Sequence, residues 1–197
     1  MARVLVVAAH PDDELLGAGG TILRHIAEGD TVHVHIECSR GLRDGERRIP
    51  TAVAIASDVG YSITFGEAWQ LGTDPRDIEV NADIVYTHHP GDLNRDHRLV
   101  AEAVRVGSRP YTADVRSLRY METPSSSEWG DGFAPTLFVD VDAYLGEKVA
   151  YLARYTTEMR PPPHPRSEAA IVDRARYWGS LSGFRAAEPF VIARERW

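Results

Sequence analysis

Residues 3–30 read RVLVVAAHPDDELLGAGGTILRHIAEGD, an order of apolar run, polar cluster and second apolar pattern that marks a strand, a turn and a helix. The run from Arg3 to Ala9 is aliphatic after its first residue and β-branched at Val4, Val6 and Val7, the pattern of a strand buried on both faces. Ile22, Leu23, Ile26 and Ala27 then recur at helical spacing, and Gly29 ends the helix. Between strand and helix stand His10, Asp12, Asp13 and Glu14, within five positions. Adjacent carboxylates repel one another, and removing them from water is costly unless something positive sits among them. A metal ion explains the cluster.

TVHVHIE (31–37) reads as the next strand and RRIPTAVAIASDVG (47–60) as a helix with Pro50 in its first turn. YSITF (61–65) and ADIVYT (82–87) read as two further strands. Strands alternating with helices from the first residue predict parallel βαβ units in a doubly wound α/β sheet, in which ligands collect beyond the carboxyl ends of the strands. Both the opening cluster and HHPGDLNRDH (88–97) follow directly on such strand ends. In the second half, SLRYMET (117–123) and TLFVDV (136–141) read as strands flanking a polar loop. Residues 142–159 read as a helix with Asp142 as N-cap, and RPPPHP (160–165) as a loop that three consecutive prolines keep from being helical. A last helix follows with Ser167 as its cap. No internal repeat or linker divides the chain, so residues 1–197 are expected to form one domain.

Composition narrows the function classes. A net charge of -7 argues against affinity built on nucleic-acid phosphates. No apolar run approaches the roughly 20 residues needed to cross a bilayer, and the opening segment lacks the layout of a signal peptide. Cys38 is the single cysteine, so no intrachain disulfide forms and the cytoplasm is the expected location. Lys148 is the single lysine among 22 basic residues, which leaves almost no room for lysine catalysis.

His10 and Asp13, three apart in a tight turn, can converge on one ion, and an imidazole nitrogen with a carboxylate oxygen suits zinc. A catalytic zinc takes a third protein ligand and keeps one position for water; His97, at the start of a predicted helix, offers that ligand. Asp96 beside it suits a role in orienting a ligand. GAGG (17–20) lacks the G-x-G-x-x-G spacing of a dinucleotide loop and reads instead as glycines for close helix packing. His33 and His35 share one strand face and read as hydrogen-bonded strand histidines rather than a second metal site. Trp69, Trp129 and Trp178 are candidates for stacking on a sugar ring.

AHPDDELLGAGG (9–20) resembles the signature of the PIG-L/LmbE family of zinc-dependent de-N-acetylases, and VYTHHPGDLNRDHRLVAEAV (85–104) resembles its second motif. The likeness extends through HPRSEAAI (164–171) and GFRAAEPF (183–190). It implies a Rossmann-like fold with a mostly parallel sheet and helices on both faces, and one zinc per chain held by His10, Asp13 and His97. It further implies Asp12 as general base and a small N-acetylated amino sugar as substrate. The residue chemistry agrees: a carboxylate that does not bind the ion can take the proton of a water acidified by zinc.

The sequence departs from the family where many members carry a histidine that supplies an oxyanion donor; here Asn94 stands at that place. His164, in its proline-stiffened loop, is the first candidate for the donor, His89 the next, and Asn94 itself can donate a hydrogen bond. Arg166 and Ser167 are expected to contact substrate, since arginine forks onto phosphates, carboxylates or paired hydroxyls, and Glu122 could accept from sugar hydroxyls. The stretch 66–85 is short against the family pattern and lacks a helix, which would widen the cleft or remove an interface. Two rival classes remain open: a metal-dependent phosphoesterase, which usually holds two ions, and a non-catalytic sugar- or metal-binding protein, which would have no need of Asp12.

Overall fold

In the computed structural model, which describes residues 1–38, 45–66 and 78–196, seven strands form one sheet. In chain order they are β1 (Arg3–Ala8), β2 (Thr31–Ile36), β3 (Ser62–Phe65), β4 (Ile84–His88), β5 (Ser117–Met121), β6 (Leu137–Asp140) and β7 (Ala187–Glu195). Their order across the sheet is β3-β2-β1-β4-β5-β7-β6, with β3 through β5 all parallel and β7 antiparallel to both its neighbours. The helices are α1 (Asp13–Ala27), α2 (Gly45–Val59), α3 (Arg95–Gly107), α4 (Leu145–Leu152) and α5 (Glu168–Ser182).

The two-residue alternation of the strands sorts the core into two layers. Val4, Val6 and Ala8 of β1 point to the face covered by Leu15, Leu16 and Ile22 of α1 and Ile55 of α2. Leu5 and Val7 point to the other face, against Val100 and Val104 of α3. Helices therefore lie on both faces, as expected of a Rossmann-like α/β protein. Each such aliphatic side chain contributes about 1.5–3 kcal/mol when fully buried. The strand order reverses at β1 and β4, so the two motifs that follow these strands emerge side by side at the crevice where ligands bind in such sheets.

Two expectations are corrected in the second half. The helix expected over 142–159 is a 3₁₀ turn (Asp142–Tyr144) followed by α4, and Asp142 is no cap: its own N–H donates to Asp140 Oδ1 at 3.1 Å. After Leu152 the chain tightens into i→i+3 bonds, Arg154 to Tyr151 and Tyr155 to Leu152, because burying Tyr155 pulls it inward. Tertiary burial overrides helix periodicity here. The last strand, β7, is not marked by alternation in the sequence; it slots between β5 and β6 and pairs with both. Trp69 and most of the shortened stretch 66–85 lie outside the described residues.

Candidate active site

The turn from β1 into α1 is stitched by its own carboxylates. The His10 N–H donates to Asp13 Oδ2 at 3.0 Å, and the Asp12 N–H donates to Glu14 Oε2 at 3.0 Å. Asp12 sits at φ 117°, ψ −29°, a left-handed conformation that costs a non-glycine residue on the order of 1–3 kcal/mol. Asp13 and Glu14 fill the first turn of α1, where the helix dipole favours negative charge.

Around Asp13 the two motifs meet. Its Oδ2 lies 3.1 Å from His10 Nδ1 and 3.1 Å from His97 Nε2. The remaining nitrogens of both rings face carboxylates: His10 Nε2 is 3.1 Å from Asp96 Oδ2, and His97 Nδ1 is 3.2 Å from Asp92 Oδ1. Asp92 is itself held by the Ser126 and Ser127 hydroxyls at 3.0 and 2.7 Å. Histidine ligands of metals have this pattern, one nitrogen inward and the other fixed by a carboxylate. Two buried atoms, His97 Nε2 and Asp13 Oδ1, have no hydrogen-bond partner. His97 Nε2 and the other Asp13 oxygen, Oδ2, lie 3.1 Å apart without a hydrogen bond between them, which fits ligands of a tetrahedral zinc, about 3.3 Å apart when the bonds are about 2.0–2.1 Å. Of the ligand-like triplets among the described residues, His10, Asp13 and His97 form the most buried one.

The electrostatics point the same way. Burial alone would lower the histidines, but Asp13 and Asp96 outweigh it and push His10 up to about 10; Asp13 and Asp92 push His97 up to about 9. Against its own burial, Asp13 is held well below the usual carboxylate range by His97 and His10. Without an ion, protonated His10 and His97 together with Arg166 balance the carboxylates of the pocket, and a bound cation would take the place of the histidine protons. Asp12 differs: burial raises it to about 7, with Arg166 pulling down and Asp13 pushing up. Burial and the neighbouring Asp12 raise Glu14 to about 8.

Arg166 brings the C-terminal half to this centre. Its Nη1 donates to Asp12 Oδ2 at 2.9 Å and to Glu158 Oε2 at 3.1 Å, while its Nε donates to Ser125 Oγ at 2.7 Å. Glu158 is paired in turn with Arg48. Asp12 Oδ1, buried, is left without a partner.

The other residues singled out in the sequence fall into two groups. His164 is half-buried, and its Nδ1 accepts the Arg166 N–H at 3.0 Å, which leaves Nε2 as the potential donor. His89 lines the second motif with Nδ1 accepting from the Gly91 N–H and its ring edge-on to Tyr120 and Phe133. Asn94, Ser167 and Glu122 are already engaged. Asn94 Oδ1 caps α3 through the Asp96 N–H at 2.9 Å, and Ser167 Oγ caps α5 through the Ala170 N–H at 3.2 Å. The oxygens of Glu122 receive Arg174 Nη1 at 2.5 Å and Trp178 Nε1 at 2.9 Å. Trp129 is exposed. His33 and His35 are hydrogen-bonded to Ser62, Thr64 and Glu37.

Sequence reasoning missed His88, Asp92, Ser125, Glu158 and Arg48. His88 stacks on His97 with ring centroids 3.8 Å apart, accepts the Ala9 N–H at 2.9 Å on Nε2 and pairs with Thr123 through Nδ1. Burial, with the adjacent His97, drives it down to about 3, so it is a neutral prop that joins β1 to β4. Asp92 had a signal, lying in the second motif five residues before His97. Glu158 and Arg48 had none, since only the fold carries them to Arg166.

Fold and site thus define an α/β protein with a buried His/Asp/His centre at the strand ends. Residues 5–59 match the family model described as PIG-L, GlcNAc-PI de-N-acetylase, which bears out the resemblance to the PIG-L/LmbE family. Over 162 residues, 81% of this chain and 43% of the relative, the sequence is 28% identical to the 1D-myo-inositol 2-acetamido-2-deoxy-alpha-D-glucopyranoside deacetylase of Geodermatophilus obscurus. The chain spans less than half the length of the curated relatives it matches. The N,N'-diacetylchitobiose deacetylase of Pyrococcus horikoshii shares the fold with a TM-score of 0.74 over 97% of this chain and 84% of that one, at 19% identity. The 4-carboxy-2-hydroxymuconate hydratase GalB of Pseudomonas putida KT2440 shares it with a TM-score of 0.73 over 100% and 98%, at 20% identity. The fold alone therefore does not fix the reaction.

Proposed function

We propose that the protein is a zinc-dependent amidohydrolase that removes the N-acetyl group from a small amino sugar or aminosugar-containing metabolite in the cytoplasm. The observation that carries this reading is the convergence of His10, Asp13 and His97 beside a separate buried carboxyl, Asp12, whose Oδ1 has no partner. The names of the curated relatives supply the substrate class. His10, Asp13 and His97 would hold one zinc ion, which when bound supplies the Lewis acid that acidifies water and polarises the amide carbonyl.

The chain's own residues do the rest. Arg166 fixes one oxygen of Asp12, so the other faces the reacting water and takes its proton as the water attacks the carbonyl carbon. A carboxyl raised to about 7 suits a group that must accept this proton and return one to the leaving amine near neutral pH. His164, through Nε2, donates to the developing oxyanion. The acetyl C–N bond then breaks, giving acetate and the free amine.

The test is acetate release from a panel of N-acetylated sugars and their inositol-, nucleotide- and lipid-linked derivatives, with metal content measured on the same sample. Acetate release with about one zinc per chain is the expected result. Phosphate release from phosphate esters with two ions per chain would move the protein to the phosphoesterases. Tight sugar binding without turnover by metal-loaded protein would make it a binding protein.

A further inference from the structure

The single lysine of the chain does something the chemistry above does not use. Lys148, on α4, is buried and its Nζ lies 2.6 Å from Oε1 of Glu188, on β7, itself buried. Two charges removed from water need further partners, and both find them on α1. Lys148 Nζ donates to the Leu16 carbonyl at 2.9 Å. Glu188 accepts the Gly20 and Thr21 N–H groups, both at 2.8 Å, and the Thr21 hydroxyl at 2.6 Å.

These contacts bracket a break. α1 is not one continuous helix: Ala18, at φ −139° and ψ 17°, interrupts it between Leu16 and Gly20. At such a break the segment before it presents carbonyls and the segment after it presents N–H groups. The cation sits on the carbonyl side and the anion on the N–H side, each matched to the local dipole. The glycines of GAGG make room for this arrangement. A Cβ at Gly19 would lie 3.1 Å from Lys148 Cγ, one at Gly20 would lie 2.7 Å from Val141 Cβ, and one at Gly17 would lie 2.6 Å from Met121 Sδ. The turn ahead of the break begins with Asp13, one helical turn before Leu16.

We propose that the Lys148–Glu188 pair is a positioning device for the ligand turn: it joins the two halves of α1 across the break and so fixes residues 13–17, and with them the Asp13 carboxylate, against His10 and His97. The inference rests on the reading of Asp13 as a metal ligand. Lys148 and Glu188 touch neither substrate nor metal and act only through α1.

The decisive variant is Glu188→Gln, which keeps the size of the side chain but removes its charge; Gly19→Ala is the milder second variant, pressing on the Lys148 stem. For each, three quantities are measured beside the parent: zinc Kd by competition with a chromophoric chelator, amide hydrogen exchange of residues 12–17 in chelator-treated protein, and thermal unfolding. Glu188→Gln should weaken zinc binding by about 10- to 100-fold, the range for groups that orient metal ligands, and speed exchange of residues 12–17. Gly19→Ala should shift both in the same direction by a smaller factor. Val32→Ala, a core truncation in β2, should lower the melting temperature while leaving the zinc Kd and this local exchange unchanged. Zinc binding and exchange at parental values in Glu188→Gln overturn the proposal; if that variant does not fold, parental values in Gly19→Ala do so. A parent that binds no zinc refutes the proposed function instead, and the exchange measurement then still decides whether the pair fixes the turn.

Discussion

The centre around Asp13 and the wall that surrounds it are built on opposite principles. At the centre, buried atoms lack hydrogen-bond partners: Asp12 Oδ1, Asp13 Oδ1 and His97 Nε2. In the wall, the charged groups are paired with one another, Arg166 with Glu158 and Asp12, Arg174 with Glu122 and Glu128, and Lys148 with Glu188. A folded chain tolerates few unpaired buried polar atoms, so finding three within one cluster marks it as the place where something else must bind. The paired wall holds that cluster still.

If the contrast is right, damage to the centre should abolish function and damage to the wall should only trim it. The largest effect is expected from His97→Ala. With one of three ligands gone, zinc content should fall from about one per chain to near zero and acetate release should disappear, as read by elemental analysis and an acetate assay. Full occupancy in that variant would remove His97 from the ligand set. Asp12→Asn should keep the zinc and lose turnover by about 10² to 10⁴-fold, the usual worth of a general base. Loss of zinc in Asp12→Asn would instead make Asp12 a ligand. His164→Ala comes next: removal of one oxyanion donor costs about 10² to 10³-fold in kcat with metal retained. An unchanged kcat would transfer the role to His89 or Asn94.

The centre should also respond to pH in a way the wall does not. His10 and His97 have folded-state values of about 10 and about 9, above their ordinary 6.5. Their contribution to the stability of chelator-treated protein is therefore complete below about pH 6.5 and lost as pH rises through 9 to 10. Asp13 is shifted the other way, so its contribution is present above its ordinary value of 3.8 and lost as pH falls through its lower folded value. Metal binding must displace the histidine protons, so the rise in melting temperature on adding zinc should grow from pH 6 to pH 9. A zinc effect that is flat across this range would mean that the histidines are not the ligands.

The same contrast explains what could be read from the sequence. The centre was legible because its residues lie close together in two short segments, His10 to Asp13 and Asn94 to His97, each shortly after a strand with an apolar run. The parallel half of the sheet was legible for the same reason. The wall was not, because its partners are brought together only by the fold: Arg166 reaches Asp12 across 154 positions and Glu188 reaches Gly20 across 168. β7 carries no clear strand signal because AEPFVIARE contains a proline and breaks strict alternation. The helix expected over 142–159 was overestimated because its periodicity says nothing of the pull that the burial of Tyr155 exerts on the chain.

The smallest expected effect separates a wall residue from a substrate contact. Ser167 lies directly after Arg166 in the sequence, which made it a candidate to touch the sugar, yet its Oγ accepts the Ala170 N–H and the residue is buried. A serine whose oxygen caps a helix contributes typically about 1 kcal/mol of stability. Ser167→Ala should therefore lower the unfolding free energy by about that amount in a denaturant titration, while KM and kcat stay within about twofold of the parent, since RT ln 2 is only about 0.4 kcal/mol of substrate interaction. Arg166→Met provides the contrast, because it removes both the ion pair to Asp12 and the hydrogen bond to Ser125. Its loss should appear in kcat, through a base no longer held in place. If Ser167→Ala instead raised KM several-fold at unchanged stability, the serine would be a substrate contact and the boundary between centre and wall would have to be moved outward to include it.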